Sequence, residues 1–140
     1  MVIWIGIIAG WVLMWFIPYS IDMAFWIGLG IIVLGLIIVS LSAIAAREHP
    51  EKKQAVVDWG IYRVSRHPQG LSDLISHLGA VIMGWNPNSV IYLILWVYLV
   101  LYASLMHLAL LKEEKLNVKK FGQEYADYMK KVPRYFFANI

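Results

Sequence analysis

The stretch that decides the fold is Tyr62-Arg63-Val64-Ser65-Arg66-His67-Pro68-Gln69, where a polar segment turns back into apolar sequence. Pro68 suits the first residue of a helix, because the N–H that it lacks is not needed there. His67 then lies at the cap, beside backbone N–H groups that can receive an anion. Arg63 and Arg66 are three residues apart and would share one face of a helix. The stretch predicts either an anion-binding site at the mouth of a membrane helix or only the basic flank that such helices commonly carry.

The composition indicates an integral membrane protein. Of the 140 residues, 61% are hydrophobic and 15% are charged, which is too apolar for an ordinary soluble domain of this length. The seven Trp and eight Tyr are typical of chains that lie at membrane interfaces. The absence of cysteine excludes disulfides and thiolate chemistry. We therefore predict a single domain, 1–140, that has the lipid bilayer and no nucleic acid among its partners.

Charge-free runs predict four membrane spans, at about 2–17, 23–46, 68–84 and 89–111. Gly84-Trp85-Asn86-Pro87-Asn88 separates the last two, because Gly and Asn-Pro interrupt helices. The resulting prediction is an all-α membrane protein, a bundle of about four transmembrane helices with a C-terminal cytoplasmic amphipathic helix.

The positions of the basic residues predict the topology. All twelve Lys and Arg lie in the connection at 47–67 or in the tail at 112–140. The two other turns, near Asp22 and Asn86, carry none. By the positive-inside rule both basic segments are cytoplasmic, so the protein is predicted to be multi-pass with both termini in the cytoplasm.

Both cytoplasmic segments are predicted to contain a short helix at the membrane surface. In the tail, apolar residues recur at helical spacing among lysines, at Phe121, Tyr125, Tyr128 and Val132. In the connection, the residues that would form the apolar side of such a helix are Val56, Val57, Trp59 and Tyr62.

A pair of carboxylates, Glu113 and Glu114, follows the fourth predicted span. At a helix C-terminus they would face the negative end of the macrodipole, which is unfavourable by about 0.3–1 kcal/mol each. Two interpretations are open: the pair belongs to a solvated charge cluster, or it binds a cation such as an ammonium or sulfonium group.

Two segments of the chain resemble the signatures of a known superfamily. Gly60-Ile61-Tyr62-Arg63, followed by Arg66-His67-Pro68, resembles the first signature of the isoprenylcysteine carboxyl methyltransferase and phospholipid N-methyltransferase superfamily. The tail is similar to it in Glu113-Glu114-Lys115-Leu116, Phe121-Gly122-Gln123-Glu124-Tyr125, Tyr128 and Val132-Pro133-Arg134. The resemblance covers roughly the C-terminal half, while the first two spans match only in being apolar.

The resemblance implies a small helical enzyme that transfers a methyl group from S-adenosylmethionine and releases S-adenosylhomocysteine. The acceptor would be lipophilic or membrane-delivered and would react at the cytoplasmic face. The resemblance implies that the cofactor pocket lies at the cytoplasmic ends of the last helices, near Tyr62, Arg66, His67, Gln69, Leu71, Glu113 and Glu114. Arg134 would lie near the entrance of that pocket, as a candidate catalytic residue.

Two positions of the first signature depart from the superfamily. His-Pro is usually followed by x-Tyr-x-Gly, whereas here Gly70 takes the tyrosine position and Ser72 the glycine position. The change affects substrate type and, to a lesser degree, catalysis. A polar stripe on the same predicted helix comprises Gln69, Asp73, Ser76 and His77.

This polar stripe has two interpretations. Asp73 and His77 are close enough for a carboxylate–imidazole hydrogen bond. Either they form a polar pair that locks the helix against its neighbours, or they line the acceptor pocket, in space released at Gly70, as candidate catalytic residues on the acceptor side.

Two other functions are compatible with the sequence. A non-catalytic binding or transport protein on the same scaffold is one, since some relatives of these methyltransferases are associated with nitrogen-oxide or haem pathways. A metal site formed by Asp73, His77 and His107 is the other. That spacing is common by chance, so no metal is predicted.

Overall fold

The computed structural model describes residues 8, 10, 12, 15–16, 20–48 and 55–136. Within these residues the chain is all-helical, as predicted. From residue 20 onward its α-helices are α1 (Met23–Glu48), α2 (Pro68–Met83), α3 (Val90–Phe121) and α4 (Gln123–Lys131). A 3-10 helix, Gly60–Arg63, lies between α1 and α2. The predicted span at 2–17 lies largely outside the described residues.

α1 and α3 are long and apolar enough to cross a membrane. Their outward faces carry exposed aliphatic side chains, such as Ile37 on α1 and Leu101 on α3, which suit contact with lipid. α2 begins at Pro68, as its sequence predicts, but its 16 residues are fewer than a spanning helix usually has. Two of the predicted spans are therefore found as helices able to cross a membrane.

α2 packs antiparallel to α1 through close backbone contact. A Cβ built on Gly28 of α1 would be 2.7 Å from Cα of Met83, and one on Gly79 of α2 would be 2.7 Å from the carbonyl oxygen of Gly28. Two turns further along α1, Gly35 lies against Ser76. Only residues without a side chain permit this approach, so the glycines hold the two helices together as a closely packed pair.

α3 packs on α2 through large side chains. Tyr102, Met106 and Leu110 of α3 form a buried cluster that faces α2. A Cβ built on Gly70 would lie 3.5 Å from both Leu110 Cδ1 and Met106 Sδ. The space opposite Gly70 is therefore filled by α3, and the polar stripe of α2 does not occupy it.

The C-terminal part of α3 extends beyond the predicted span. The helix continues past 111 to Phe121, because Lys112–Lys120 contains neither Gly nor Pro, and it ends before Gly122, whose φ of 60° breaks the helical path. Glu113 and Glu114 thus lie inside the helix, and the expected repulsion from the helix C-terminus does not apply to them.

The apolar residues of the two polar segments pack against each other. Val56 of the connection forms a buried cluster with Tyr125 and Tyr128 of α4 and with Val132. Trp59 is buried as well, and its Nε1–H donates a 2.7 Å hydrogen bond to the carbonyl oxygen of Ala45. Apart from Gly60–Arg63, residues 55–67 are not helical. For residues 55–67, the prediction of a surface helix in the connection was wrong. The apolar residues Val56 and Trp59 pack against α4 and α1 instead.

Candidate functional site

Glu114 of α3 is the centre of a buried ion network. Its Oε1 accepts a 3.1 Å hydrogen bond from Arg134 Nε, and its Oε2 accepts a 2.8 Å bond from Arg134 Nη2. Arg66 Nη1 lies 3.4 Å from Oε1, and His67 Nε2 lies 3.2 Å from the same atom. A buried carboxylate requires such partners, because desolvation of an unpaired charge is costly. The network joins the segment before α2, the end of α3 and the segment after α4.

Backbone and hydroxyl hydrogen bonds hold the arginines of this network in place. The Arg66 N–H donates to the carbonyl oxygen of Pro133 at 3.0 Å. The Ser65 hydroxyl donates to the carbonyl oxygen of Arg134 at 2.9 Å and accepts a 3.3 Å bond from the His67 N–H. Ser65 is fully buried. These bonds connect the two signature segments directly, although they are distant in sequence.

The charges of the network change the titration of its members. Burial alone raises the pKa of Glu114, but hydrogen bonds from Arg134 and the charges of Arg66 and Arg134 hold that pKa below its ordinary value. Burial lowers the pKa of His67, and the nearby carboxylates of Glu113 and Glu114 offset this only in part. At neutral pH, Glu114 is therefore ionised and His67 is mainly neutral.

A cleft lies beside the network, between the connection and the C-terminal end of α3. It contains about 450 Å³ of empty space, part of which is open to solvent. Its polar and aromatic lining comprises Tyr62, Arg66, His67, Glu113, Asn117, Phe121, Tyr125 and Tyr128. The Tyr128 hydroxyl donates a 2.7 Å hydrogen bond to the carbonyl oxygen of Tyr62 and so fixes one wall of the cleft to α4.

The two carboxylates of the acidic pair have different environments. Glu114 is buried and bound by Arg134, whereas Glu113 is exposed and lines the cleft. Neighbouring residues of a helix point in different directions, which places only one carboxylate at the cleft. Glu113 is therefore available to a bound cation, and Glu114 holds the surrounding segments together.

The structure brings some of the predicted site residues to the cleft and leaves others away from it. Tyr62, Arg66, His67 and Glu113 line it. The residues that do not are Gln69, Leu71, Asp73, His77, Glu114 and Arg134. The 3-10 helix Gly60–Arg63 ends at Arg63, and Arg66 lies in the loop that follows. Arg63 and Arg66 therefore do not share a helical face. Arg63 is exposed beside a separate surface groove, and Arg66 is buried.

The histidines of α2 and α3 have partners other than a metal. His77 Nδ1 lies 2.8 Å from the backbone carbonyl oxygen of Asp73, to which its N–H donates, instead of bonding the Asp73 carboxylate. His107 Nδ1 lies 3.0 Å from the Tyr135 hydroxyl oxygen. Among the described residues, no group of three or more His, Cys, Asp or Glu could hold a metal ion.

Sequence reasoning assigned no role to two residues of this region. Asn117 lines the cleft one helical turn after Glu113, and this spacing would have identified it if α3 had been predicted to continue. Ser65 connects His67 with the C-terminal segment. No sequence signal marks Ser65, since its role depends on a partner 69 positions away.

Comparison with known proteins places the chain among membrane methyltransferase-like sequences. The model of a family described as "Protein of unknown function (DUF1295)" matches residues 2–132. Probable protein-S-isoprenylcysteine O-methyltransferases of Oryza sativa subsp. indica and subsp. japonica are each 29% identical to the chain over 128 residues, covering 84% of it. The chain spans 60% of the length of these curated relatives. No solved structure matches the chain. The resemblance to the isoprenylcysteine methyltransferase-like superfamily is thereby confirmed.

Proposed function

The chain belongs to the family described as "Protein of unknown function (DUF1295)", and from this premise we propose that it transfers a methyl group from S-adenosylmethionine to a lipophilic acceptor. The name of the relatives supports methyl transfer at the level of the superfamily. It also favours an enzyme over the non-catalytic binding or transport protein.

The observation that carries the proposal is the convergence of the two signatures on one cleft. Tyr62, Arg66 and His67 come from the first signature, and Glu113, Phe121 and Tyr125 come from the second. These six residues line one cleft together, although Arg66, His67 and Tyr125 are largely buried. Convergent polar and aromatic groups around a cleft are typical of a small-molecule site.

The residues of the cleft fit the chemistry of the cofactor. S-adenosylmethionine supplies an activated methyl group on a sulfonium, and it also carries an ammonium, a carboxylate and an adenine ring. The exposed carboxylate of Glu113 suits the ammonium. Aromatic side chains line the cleft at Tyr62, Phe121 and Tyr125, and aromatic groups suit an adenine or a sulfonium.

The ion network behind the cleft gives its wall a fixed shape. Arg66 and His67 line the cleft and are held by Glu114 from behind, so their positions do not have to be established when a ligand binds. A preorganised wall reduces the entropy lost on binding and positions the reacting groups. Arg134 and Glu114 therefore act in this proposal as positioning residues, and Glu113 contacts the cofactor.

Methyl transfer is a direct displacement, so this chain needs to align the reactants and exclude water more than to supply covalent chemistry. A base is required only for an acceptor that must lose a proton. We place the cleft on the cytoplasmic side of a multi-pass bundle of about four spans with both termini cytoplasmic, since its basic residues lie there. Asp73 and His77 stay candidates for the acceptor side.

Binding of S-adenosylhomocysteine to the purified full chain tests the proposal directly. Calorimetry on detergent-solubilised protein should show saturable binding that Asn117→Ala weakens. Asn88→Ala, which changes an amide in the turn between α2 and α3, is the matched control and should bind as the wild type does. Absence of binding to protein that unfolds cooperatively on heating would exclude this function.

A further inference from the structure

A second site lies on the membrane side of the molecule, in a shallow groove between α2 and α3. The groove contains about 890 Å³ of empty space, including space open to the surroundings. Its lining comprises Leu74, Ala103, Ser104, Met106, His107, Leu108 and Tyr135. The Ser104 hydroxyl donates a 2.8 Å hydrogen bond to the carbonyl oxygen of Val100, within its own helix. None of the cleft residues named above lines it.

The groove opens towards the hydrocarbon region. Leu105 and Leu108 on α3 are 54% and 60% exposed, and both belong to a helix able to cross a membrane. In a bilayer, the medium that meets such side chains is hydrocarbon. A hydrocarbon chain is therefore the occupant whose chemistry matches the apolar lining.

The polar end of the groove is a hydrogen-bonded pair, His107 and Tyr135, with Nδ1 and Oη 3.0 Å apart. A neutral imidazole and a phenol have two polar hydrogens between them, and one is used in their mutual bond. If Tyr135 donates, the Nε2–H of His107 is left to donate; if His107 donates, the Tyr135 hydroxyl is left. With either tautomer the pair offers one donor, which selects a head group with an accepting oxygen.

The pair also lies near the predicted end of the span and next to the candidate site. His107 precedes Leu111, the last residue of the predicted span, by about 6 Å along the helix, which is near the level of lipid head groups. Tyr135 follows Arg134, whose guanidinium binds Glu114 at the back of the cleft. The polar end of the groove is thus continuous with the ion network of the site.

We propose that this groove binds the single hydrocarbon chain of a membrane amphiphile, whose head-group oxygen accepts a hydrogen bond from the His107–Tyr135 pair, and that this amphiphile is the methyl acceptor. The statement that the amphiphile is the methyl acceptor rests on the proposed function. Binding of its hydrocarbon chain in the groove does not, because that binding requires no cofactor.

Photolabelling of the full chain in lipid nanodiscs tests the groove. The probes are palmitic acid with a diazirine in its chain and the same diazirine chain without a head group. Peptides that contain Leu74 and Leu108 should be labelled about fivefold more by the acid, the factor expected for one hydrogen bond. The His107→Phe/Tyr135→Phe variant should bring that ratio to one.

Filling the groove gives a second, independent readout. Ala103→Trp should abolish the preferential labelling, whereas Leu101→Trp, at a position that is 59% exposed, should leave it unchanged. Equal labelling by both probes in the wild type, or labelling that survives Ala103→Trp, would overturn the proposal. S-adenosylhomocysteine binding is measured on the same samples to separate failure of the groove proposal from failure of the proposed function. If the protein does not bind S-adenosylhomocysteine but is still labelled preferentially by the acid, the enzyme proposal is rejected and the groove proposal is not.

Discussion

Arg134 binds Glu114 through two hydrogen bonds, of 3.1 and 2.8 Å, and both side chains are buried. The bidentate pair joins the C-terminal segment to the last third of α3. The sequence of the acidic pair suggests a cation site formed by both carboxylates. In the structure the carboxylate of Glu114 is already bound by Arg134. The roles of the two neighbouring glutamates should therefore separate in experiments.

Replacing Glu114 should affect stability. Glu114→Gln leaves Arg134 and Arg66 without their buried counter-charge, and breaking a buried ion pair costs about 3–5 kcal/mol. Unfolding free energies in mixed micelles would measure the loss. The matched control is Glu113→Gln, which changes an exposed carboxylate and should alter stability by less than about 0.5 kcal/mol. Equal effects of the two variants would contradict the assignment.

Replacing Glu113 should affect cofactor affinity. If its carboxylate binds the ammonium of the cofactor, Glu113→Gln removes a charge-assisted hydrogen bond worth about 1.5–3 kcal/mol. Calorimetry should then show S-adenosylhomocysteine binding at least tenfold weaker, with the fold intact. Unchanged affinity would assign Glu113 to a solvated charge cluster.

Stability should fall in acid in two steps. The pKa of His67 is below its ordinary value of 6.5, so the unfolded chain takes up that proton more readily and stability declines as the pH falls below 6.5. The pKa of Glu114 is below its ordinary value of 4.5, so its contribution is complete above pH 4.5 and is lost as the pH falls through the lowered value.

Variants assign these two steps. The free energy of unfolding, measured as a function of pH, should lack the step near pH 6.5 in His67→Gln. The difference in unfolding free energy between the wild type and Glu114→Gln should become smaller below pH 4.5. A difference that stays constant down to pH 3 would show that Glu114 does not contribute by its charge.

The topology can be tested because the chain has no cysteine. A cysteine introduced at Asn88 should react with an impermeant maleimide only from the outer side of the membrane, since both basic segments are predicted to be cytoplasmic. A cysteine at Lys119, near the end of α3, is the control and should react only from the cytoplasmic side. Cytoplasmic labelling at Asn88 would reverse the predicted arrangement.

Local signals predicted the helix boundaries where they were strong. Pro68 restricts its own backbone and begins α2, and α2 ends before Gly84, where Gly and Asn-Pro predict an interruption. The end of α3 was missed because the change from apolar to charged residues at Lys112 was taken as the end of the span. Charged residues do not end a helix, whereas Gly122 does.

The site could be predicted only to the level of its segments. The two signatures identified the segments that meet in the fold. They could do so because a resemblance to a family implies which segments form one site, which a single sequence does not show. Which carboxylate is buried depends on the course of α3 past its predicted end. The contact between Arg134 and Glu114 depends on the turn at Gly122. The hydrogen bond from Ser65 to the C-terminal segment depends on the packing of α4. No local pattern encodes these contacts.

The closest helix contact supplies the last prediction, a comparison between two glycines of α1. A Cβ at Gly28 would be 2.7 Å from Met83 Cα, whereas a Cβ at Gly30 would meet nothing within 4 Å. Gly28→Ala should therefore force α1 and α2 apart and cost about 1–3 kcal/mol, the usual penalty of overpacking. Gly30→Ala has the same change in helix propensity without the clash, and should leave stability unchanged or raise it by up to about 1 kcal/mol.

Unfolding of both variants in mixed micelles would measure these effects, and the difference between them cancels the propensity that they share. Because His67 is the N-cap residue of α2, separation of α1 from α2 should also weaken S-adenosylhomocysteine binding in Gly28→Ala and not in Gly30→Ala. If the two variants have the same stability, α1 and α2 do not pack through Gly28. If they differ in stability but bind the ligand equally, the position of His67 does not depend on the α1–α2 contact.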